Sequence, residues 1–358
     1  MDFYQYILIG FSSILVLGTF LPALRLTHWV YRNFDYVRVQ VLALLIIVLI
    51  LGLIFLNQLP YSLTIPYFLL IGLSIYFQIS IIFPYLPNKR KQSNTVTSSF
   101  KVSIISSNVY QDNNKYSRFL KLIENKRPNI VFTLETNKDW EDALTSIEKW
   151  YPNSLKIAKE NTYGMHFYTD LEVISTKEHY FISEERPAIE AILKDNDGNE
   201  FVFWGIHPPP PSPTELPTSK QKDAELITLA QLIQKSTKRT IVVGDFNNVC
   251  WSRIAKLFGK ISGLKDARLN NGILGTFPVK PAFLRFPIDL LFHSHGIHIH
   301  TFTTLADIGS DHLPLFTEFH IDASKTSKEN EISTSSKNEA DTIIDKGIKA
   351  NKVEEADH

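Results

Sequence analysis

Thr240-Ile-Val-Val-Gly-Asp-Phe-Asn247 reads as a β-branched run that ends abruptly in polar chemistry. Thr240–Gly244 has the composition of a strand buried on both faces. A carboxylate emerging from such a run needs a cation, a network of donors or solvent. Asp245 and Asn247 are two positions apart, so on extended backbone their side chains point the same way.

Outward from this stretch the pattern repeats. Lys101–Ser106 reads as a buried strand and is followed by Asn108; Asn129–Leu134 is followed by Glu135; Phe201–Ile206 is followed by His207. Asp289 sits in Ile288-Asp-Leu-Leu-Phe292, and Ser310-Asp311-His312 precedes the strand-like Leu315–Phe319. Taken singly, an Asp or Asn after a strand is a turn former, and a lone His beside an apolar run is a satisfied structural residue. The ordered set of two Asp, one Glu, two Asn and two His in one repeated context points instead to a cleft at the strand ends. Between the strands, Phe119, Leu120, Leu122 and Ile123 among Lys and Arg predict an amphipathic helix, and Lys222–Gln234 predicts another. The late strands at 288–293 and 315–319 follow without long helices, so the expected architecture is a mixed sheet layered with helices, not a doubly wound one.

In this order, Asn108, Val131-Phe-Thr-Leu-Glu-Thr136, Gly244-Asp-Phe-Asn247, Ile288-Asp-Leu-Leu-Phe292 and Gly309-Ser-Asp-His312 resemble the motifs of the endonuclease/exonuclease/phosphatase superfamily. That group includes DNase I-like nucleases, exonuclease III-like repair enzymes, neutral sphingomyelinases and inositol polyphosphate 5-phosphatases. The resemblance covers roughly residues 99–321 and is to the membrane-anchored bacterial type. It implies an α/β fold, a four-layer α/β/β/α sandwich, with the site where loops of the two sheets meet.

The resemblance also implies the chemistry. Glu135 would hold a divalent cation, Mg²⁺ or Mn²⁺ in its place, with Asn108 and Asp311 as further metal ligands; a hard cation with few carboxylates is the arrangement Mg²⁺ prefers. Asp245 and Asn247 would orient the attacking water and the phosphate. Asp289 would hydrogen-bond His312, fixing its tautomer and raising its basicity. His207 would contact the scissile phosphate and stabilise charge developing in an in-line displacement.

Other features stay structural. Pro208–Pro211, continued by Ser212-Pro213, reads as a rigid polyproline loop beside the site. His166 reads as structural, as do His293, His295, His298 and His300, whose run Gly296 breaks and no acid or Cys completes. Trp251 and Arg253 are candidates for a substrate groove, with Trp251 equally placed as core. One cysteine, Cys250, gives neither a disulfide nor a metal pattern.

N-terminal to this unit the composition changes. Phe3–Leu24 carries no charge, and a second charge-free stretch runs from Val39 to Asn88, interrupted by Asn57-Gln-Leu-Pro60. At ~1.5 Å per residue these runs are long enough for a ~30 Å hydrocarbon core. Three membrane helices are expected, over 3–25, 39–56 and 63–83, in a membrane region spanning 1–87. A cleaved signal peptide lacks its basic start and small-residue site, and a soluble bundle would lack a polar face. Arg25, Arg32 and Arg38 in the first connection and Lys89-Arg-Lys91 after the third span put both on one side, which the positive-inside rule makes the cytoplasm. The expected molecule is a multi-pass inner-membrane protein with a cytoplasmic catalytic domain at 99–321, a linker at 88–98 and a disordered tail at 322–358.

The 358 residues balance 37 basic against 37 acidic side chains, and the neutral total excludes a uniformly basic nucleic-acid coat. Residues 1–98 carry six basic and two acidic groups, 99–321 carry 25 and 26, and 322–358 carry six and nine. The near-neutral catalytic segment argues against general DNA binding, which rests on several Lys and Arg contacts to phosphate. The expected partners are therefore the lipid bilayer and a phosphate-ester substrate, whether lipid, nucleic acid or inositol phosphate, with no protein partner. The alternative is a catalytically silent membrane module that keeps the same fold.

Overall fold

The computed structural model describes residues 1–56, 59–88, 100–324 and 330–357. Most of the expected linker, including Lys89-Arg-Lys91, lies outside the described residues, as do Asn57 and Gln58. In chain order the helices are α1 (Phe3–Phe20), α2 (Trp29–Tyr36), α3 (Arg38–Phe55), α4 (Tyr61–Ile82), α5 (Tyr116–Lys126), α6 (Lys138–Leu144), α7 (Lys220–Gln234), α8 (Arg253–Ser262) and α9 (Thr334–Asp357). The strands are β1 (Val102–Asn108), β2 (Ile130–Leu134), β3 (Asn153–Ile157), β4 (Met165–Thr169), β5 (Glu172–Tyr180), β6 (Pro187–Lys194), β7 (Glu200–Ile206), β8 (Thr240–Asp245), β9 (Lys265–Asp266), β10 (Asp289–His293), β11 (Ile297–Thr304) and β12 (Leu315–Ile321).

The strands form two six-stranded sheets, ordered β11-β12-β1-β2-β4-β3 and β5-β6-β7-β8-β10-β9. Each is mixed, with one central parallel pair, β1 with β2 and β7 with β8, and antiparallel neighbours around it. Phe132, Phe167, Phe201, Phe203, Leu291 and Phe319 interdigitate between the sheets. Ile105, Phe119, Ile123 and Trp140 pack α5 and α6 on one outer face, and Trp204, Leu226, Ile254 and Phe258 pack α7 and α8 on the other. The result is the α/β/β/α sandwich, in which both faces of each central strand are covered and apolar runs replace alternation.

Local chemistry sets the element ends. Asn137 caps α6 by accepting from the Trp140 N–H, and Ser252 caps α8 by accepting from the Ala255 N–H. Gly244 has φ +150°, and a Cβ there would meet the Ile206 carbonyl oxygen at 2.0 Å. Only glycine therefore lets β8 run this close to β7 just where each strand delivers a polar residue.

Three helical segments, Phe3–Leu24, Arg38–Phe55 and Tyr61–Tyr85, are long and apolar enough to cross a membrane. Polar side chains tie them together: Gln5 Nε2 donates to the Phe55 carbonyl at 2.9 Å, and Arg38 donates to Gln78 Oε1 at 3.0 Å. The bundle docks on the sandwich through α2, a short helix absent from the sequence reading. Arg32 forms a buried 2.9 Å ion pair with Asp223 of α7, the Trp251 indole donates to the Asp35 carbonyl at 2.7 Å, and Tyr85 donates to the Cys250 carbonyl at 2.8 Å.

The region expected to be disordered from Asp322 onward is not uniformly so. Within it α9 packs along α7, burying Ala340 and Ile343 in the outer core. At the crossing, a Cβ on Gly347 would lie 2.2 Å from the Ala224 Cβ, so the two helices touch at backbone distance. Composition pointed to disorder because the apolar stripe is short and small, while Arg253–Glu339 and Gln231–Asp341 contacts dock the polar flanks.

Candidate active site

Parallel pairing gives β1 and β2 a common C-terminal end, and β7 and β8 another. β10 runs antiparallel to β8 with Asp289 opposite Asp245, so its first residue arrives at the same edge. All eight residues singled out from the sequence lie at this edge. Glu135, His207, Asp245, Asn247, Asp311 and His312 line one cavity of about 780 Å³, with Asn108 and Asp289 buried beneath.

Asp289 Oδ2 lies 2.8 Å from His312 Nδ1, which fixes the ring. Its Nε2 then faces Asp245 Oδ2 at 3.6 Å, and His207 Nε2 approaches the same oxygen at 3.9 Å. Burial alone would push the His312 pKa down, but the two carboxylates outweigh it and raise it to about 10. His312 is therefore held as an imidazolium at neutral pH. Burial dominates at Asp245, holding its carboxyl above the usual range, whereas at Asp289 the charge and hydrogen bond of His312 overcome burial and hold it below. His207, fully enclosed and with Nδ1 lacking a protein partner, has its pKa lowered by burial and stays neutral.

Glu135 leaves β2 with φ +57°, and burial raises its pKa. Its hydrogen-bond donors are the Asn108 amide at 2.7 Å and the Gln111 N–H at 3.2 Å. No Lys or Arg among the described residues reaches it, while Asp311 beside it adds like charge. A half-buried carboxylate whose charge is offset only from a distance by His312 is a place for a cation. Asn108 joins the cavity floor through its amide. Its Oδ1 accepts from the Tyr110 N–H at 3.0 Å, while its Nδ2 faces Glu135 and, at 3.4 Å, Asp245. In this arrangement its amide aligns two carboxylates, and its oxygen keeps one lone pair beyond the Tyr110 hydrogen bond. A second donor set, Asp245, Asp289 and His312, also brings one ligand atom from each within 4.8 Å of the others and could hold a metal ion.

Asn247 sits in the left-handed region at φ +47°. Its N–H donates to Asp245 Oδ1 at 2.8 Å and its amide to the Pro208 carbonyl at 3.0 Å, so the proline loop buttresses the site. Two groups not singled out from the sequence hold its carbonyl: Lys222 Nζ at 2.8 Å and the Tyr36 hydroxyl. Tyr36 belongs to α2, and Asn33 and Val37 line the same cavity. No sequence pattern marks them, because the link between α2 and β8 exists only in three dimensions.

Of the remaining candidates, Trp251 is core and Arg253 pairs with Glu339, so neither lines the cavity. His166 is buried on β4 against the Tyr168 hydroxyl at 3.0 Å. His298 and His300 flank His320 on β11 and β12, where His300 Nε2 and His320 Nδ1 lie 2.6 Å apart, away from the cavity.

The sequence model of the endonuclease/exonuclease/phosphatase family matches residues 105–312. Solved structures share the fold. D. rerio TDP2 complexed with single strand DNA product superposes with TM-score 0.54 at 16% identity, covering 62% of this chain and 100% of that one. An endonuclease/exonuclease/phosphatase family protein from Bacteroides thetaiotaomicron gives 0.51 at 18%, covering 65% and 98%. The corresponding Bacteroides vulgatus protein gives 0.52 at 17%, covering 62% and 100%. No curated protein matches the chain in sequence.

Proposed function

Because the chain belongs to the endonuclease/exonuclease/phosphatase family, we propose that it is a membrane-anchored, metal-dependent phosphoesterase that cleaves a phosphate ester by in-line attack of water. The observation that carries this reading is the Asp289–His312–Asp245 chain facing Glu135, which no Lys or Arg among the described residues reaches, across one cavity. Glu135 and Asp311 would hold Mg²⁺, aligned by Asn108; when bound, the ion neutralises phosphoryl charge and orients the ester. The Asp245–Asp289–His312 set is the weaker metal site, because the His312 imidazolium would first have to lose a proton.

The chain's own groups do the rest. Asp245 and Asn247 position the water opposite the leaving group, and Asp245, its pKa raised by burial, accepts the proton. His312 acts as a charged donor to a non-bridging oxygen, its Nδ1 proton committed to Asp289. His207 presents Nε2 to the same phosphoryl group. A membrane anchor is supported by three helices long and apolar enough to cross a bilayer, and a cytoplasmic catalytic domain by the basic residues of the first connection.

The test uses the full chain in detergent with Mg²⁺ and bis(p-nitrophenyl) phosphate. His312→Ala is expected to lower kcat by about 10²–10⁴-fold, the usual weight of a positioned proton-transfer or charge-stabilising group. Wild type and His312→Ala turning over equally slowly would make the chain a silent module with this fold.

A further inference from the structure

The cavity is built partly from the membrane region. Val37, which lines it, is followed directly by Arg38, the first residue of α3. The 18 residues of α3 extend about 27 Å, close to the ~30 Å hydrocarbon core, so the start of α3 lies at a bilayer surface. A phosphate in the cavity therefore sits near headgroup level.

A second feature lies at the same height. The loop from Lys280 to Leu284 is exposed throughout, and Phe283, at 77%, is the most exposed large apolar side chain described outside the three apolar segments and the tails flanking them. Gln40, in the first turn of α3, donates to the Phe283 carbonyl at 3.0 Å, which ties this tip to the membrane helix. An exposed Phe-Leu pair beside a Lys is chemistry suited to the interfacial zone, with rings among acyl chains and the ammonium among phosphates. The stem of the same loop reaches the chemistry: Phe277 packs on the His312 ring at 4.8 Å and Phe286 on Tyr36 at 5.2 Å.

The cavity lining contains four carboxylates and, among the described residues, no Lys or Arg. A nucleic acid strand would find no counter-charge for successive phosphates. A single phosphate with an apolar remainder would find a metal-binding end and an aromatic, proline-rich wall.

Resting on the phosphoesterase reading above, we propose that this cavity draws its substrate from the bilayer, a lipid whose headgroup carries the phosphate ester, and that the Phe283–Leu284 tip seats in the lipid beside the mouth. Two measurements on the full chain in nanodiscs test it. In the first, Phe283→Cys is labelled with an environment-sensitive fluorophore, the native Cys250 being buried. Shallow doxyl lipids are expected to quench the label and iodide to be excluded; quenching by iodide alone overturns the proposal. In the second, discs of phosphatidylcholine, phosphatidylglycerol and phosphatidic acid are compared with bis(p-nitrophenyl) phosphate and a single-stranded oligonucleotide. Phe283→Asp/Leu284→Asp is expected to slow lipid cleavage about tenfold, since each apolar side chain withdrawn from lipid weakens seating, and to leave the soluble ester untouched. Cleavage of the soluble ester with no lipid cleavage, faster cleavage of the oligonucleotide, or an unaffected double variant overturns the lipid proposal alone. Turnover of nothing overturns both it and the phosphoesterase reading.

Discussion

His166 shows how a single buried ring writes itself into stability. Burial, helped by Lys156 and Lys138, lowers its pKa to about 3, so the folded protein keeps the ring neutral while the unfolded chain protonates it near 6.5. Folding then releases a proton, and the associated stability is present above pH 6.5 and lost as pH falls towards 3. His293, lowered to about 4 by burial, adds to the same window. His166→Gln is expected to flatten the dependence of unfolding free energy on pH by about 1.4 kcal/mol per unit between about 4 and 6; an unchanged slope in chemical denaturation means the native ring titrates. Gly244 is a second case. Its Cβ-free approach to the Ile206 carbonyl places Asp245 beside His207, so Gly244→Ala is expected to cost more than about 2 kcal/mol and to lower kcat, read by thermal unfolding and ester turnover. At this scale the sequence was informative. Asn108, Glu135, His207, Asp245, Asp289 and His312 could be found because each follows or opens an apolar run, and polar groups in that setting need a purpose. The roles were less legible. The imidazolium state of His312 depends on Asp245 approaching from another strand, and the orientation of Asn108 depends on the Tyr110 N–H.

Among the elements, α2 carries the most unexpected part. It lies between two apolar helices as a short polar connection, and nothing in its eight residues announces contact with a strand end 211 positions away. Yet Tyr36 and Lys222 share the Asn247 carbonyl, holding that residue in a left-handed conformation that costs energy to maintain. Tyr36→Phe keeps the ring against Phe286 and removes one donor. It is expected to reduce kcat about fivefold, the worth of one hydrogen bond, with KM unchanged. Equal turnover of the variant and wild type would show that Lys222 alone suffices. The tail helix α9 was hidden for a different reason. Ala340, Ile343 and Gly347 form a stripe too small to register against so many Lys, Glu and Ser, and its value appears only when α7 offers a surface shaped for close contact.

For the whole molecule, the two sheets meet in a hollow lined by four carboxylates that the His312 imidazolium only partly offsets. Mg²⁺ is expected to raise the unfolding midpoint, by an amount equivalent to about 2.7 kcal/mol at a hundred times its dissociation constant. Glu135→Gln should abolish that increment without lowering the midpoint measured in chelator, because it removes a buried charge whose pKa is already raised. A midpoint shift that survives Glu135→Gln would move the ion to the Asp245, Asp289 and His312 group. The four-layer arrangement was legible because strand composition and order specify it. The docking of the apolar helical bundle on the sandwich was not, since Arg32–Asp223, Trp251–Asp35 and Tyr85–Cys250 each join residues more than 150 positions apart.

That ion pair also imposes an order on biosynthesis. Arg32 leaves the ribosome 191 residues ahead of Asp223, and the helix bearing it lies between two segments long and apolar enough to cross a membrane. The Asn247 turn can receive its Tyr36 prop only once β8 has been made, 211 positions after Tyr36. A sandwich folded without α2 would keep its sheets but lose the Arg32 pair and the Tyr36 prop, so the segment that precedes the sandwich helps set the geometry of its cavity.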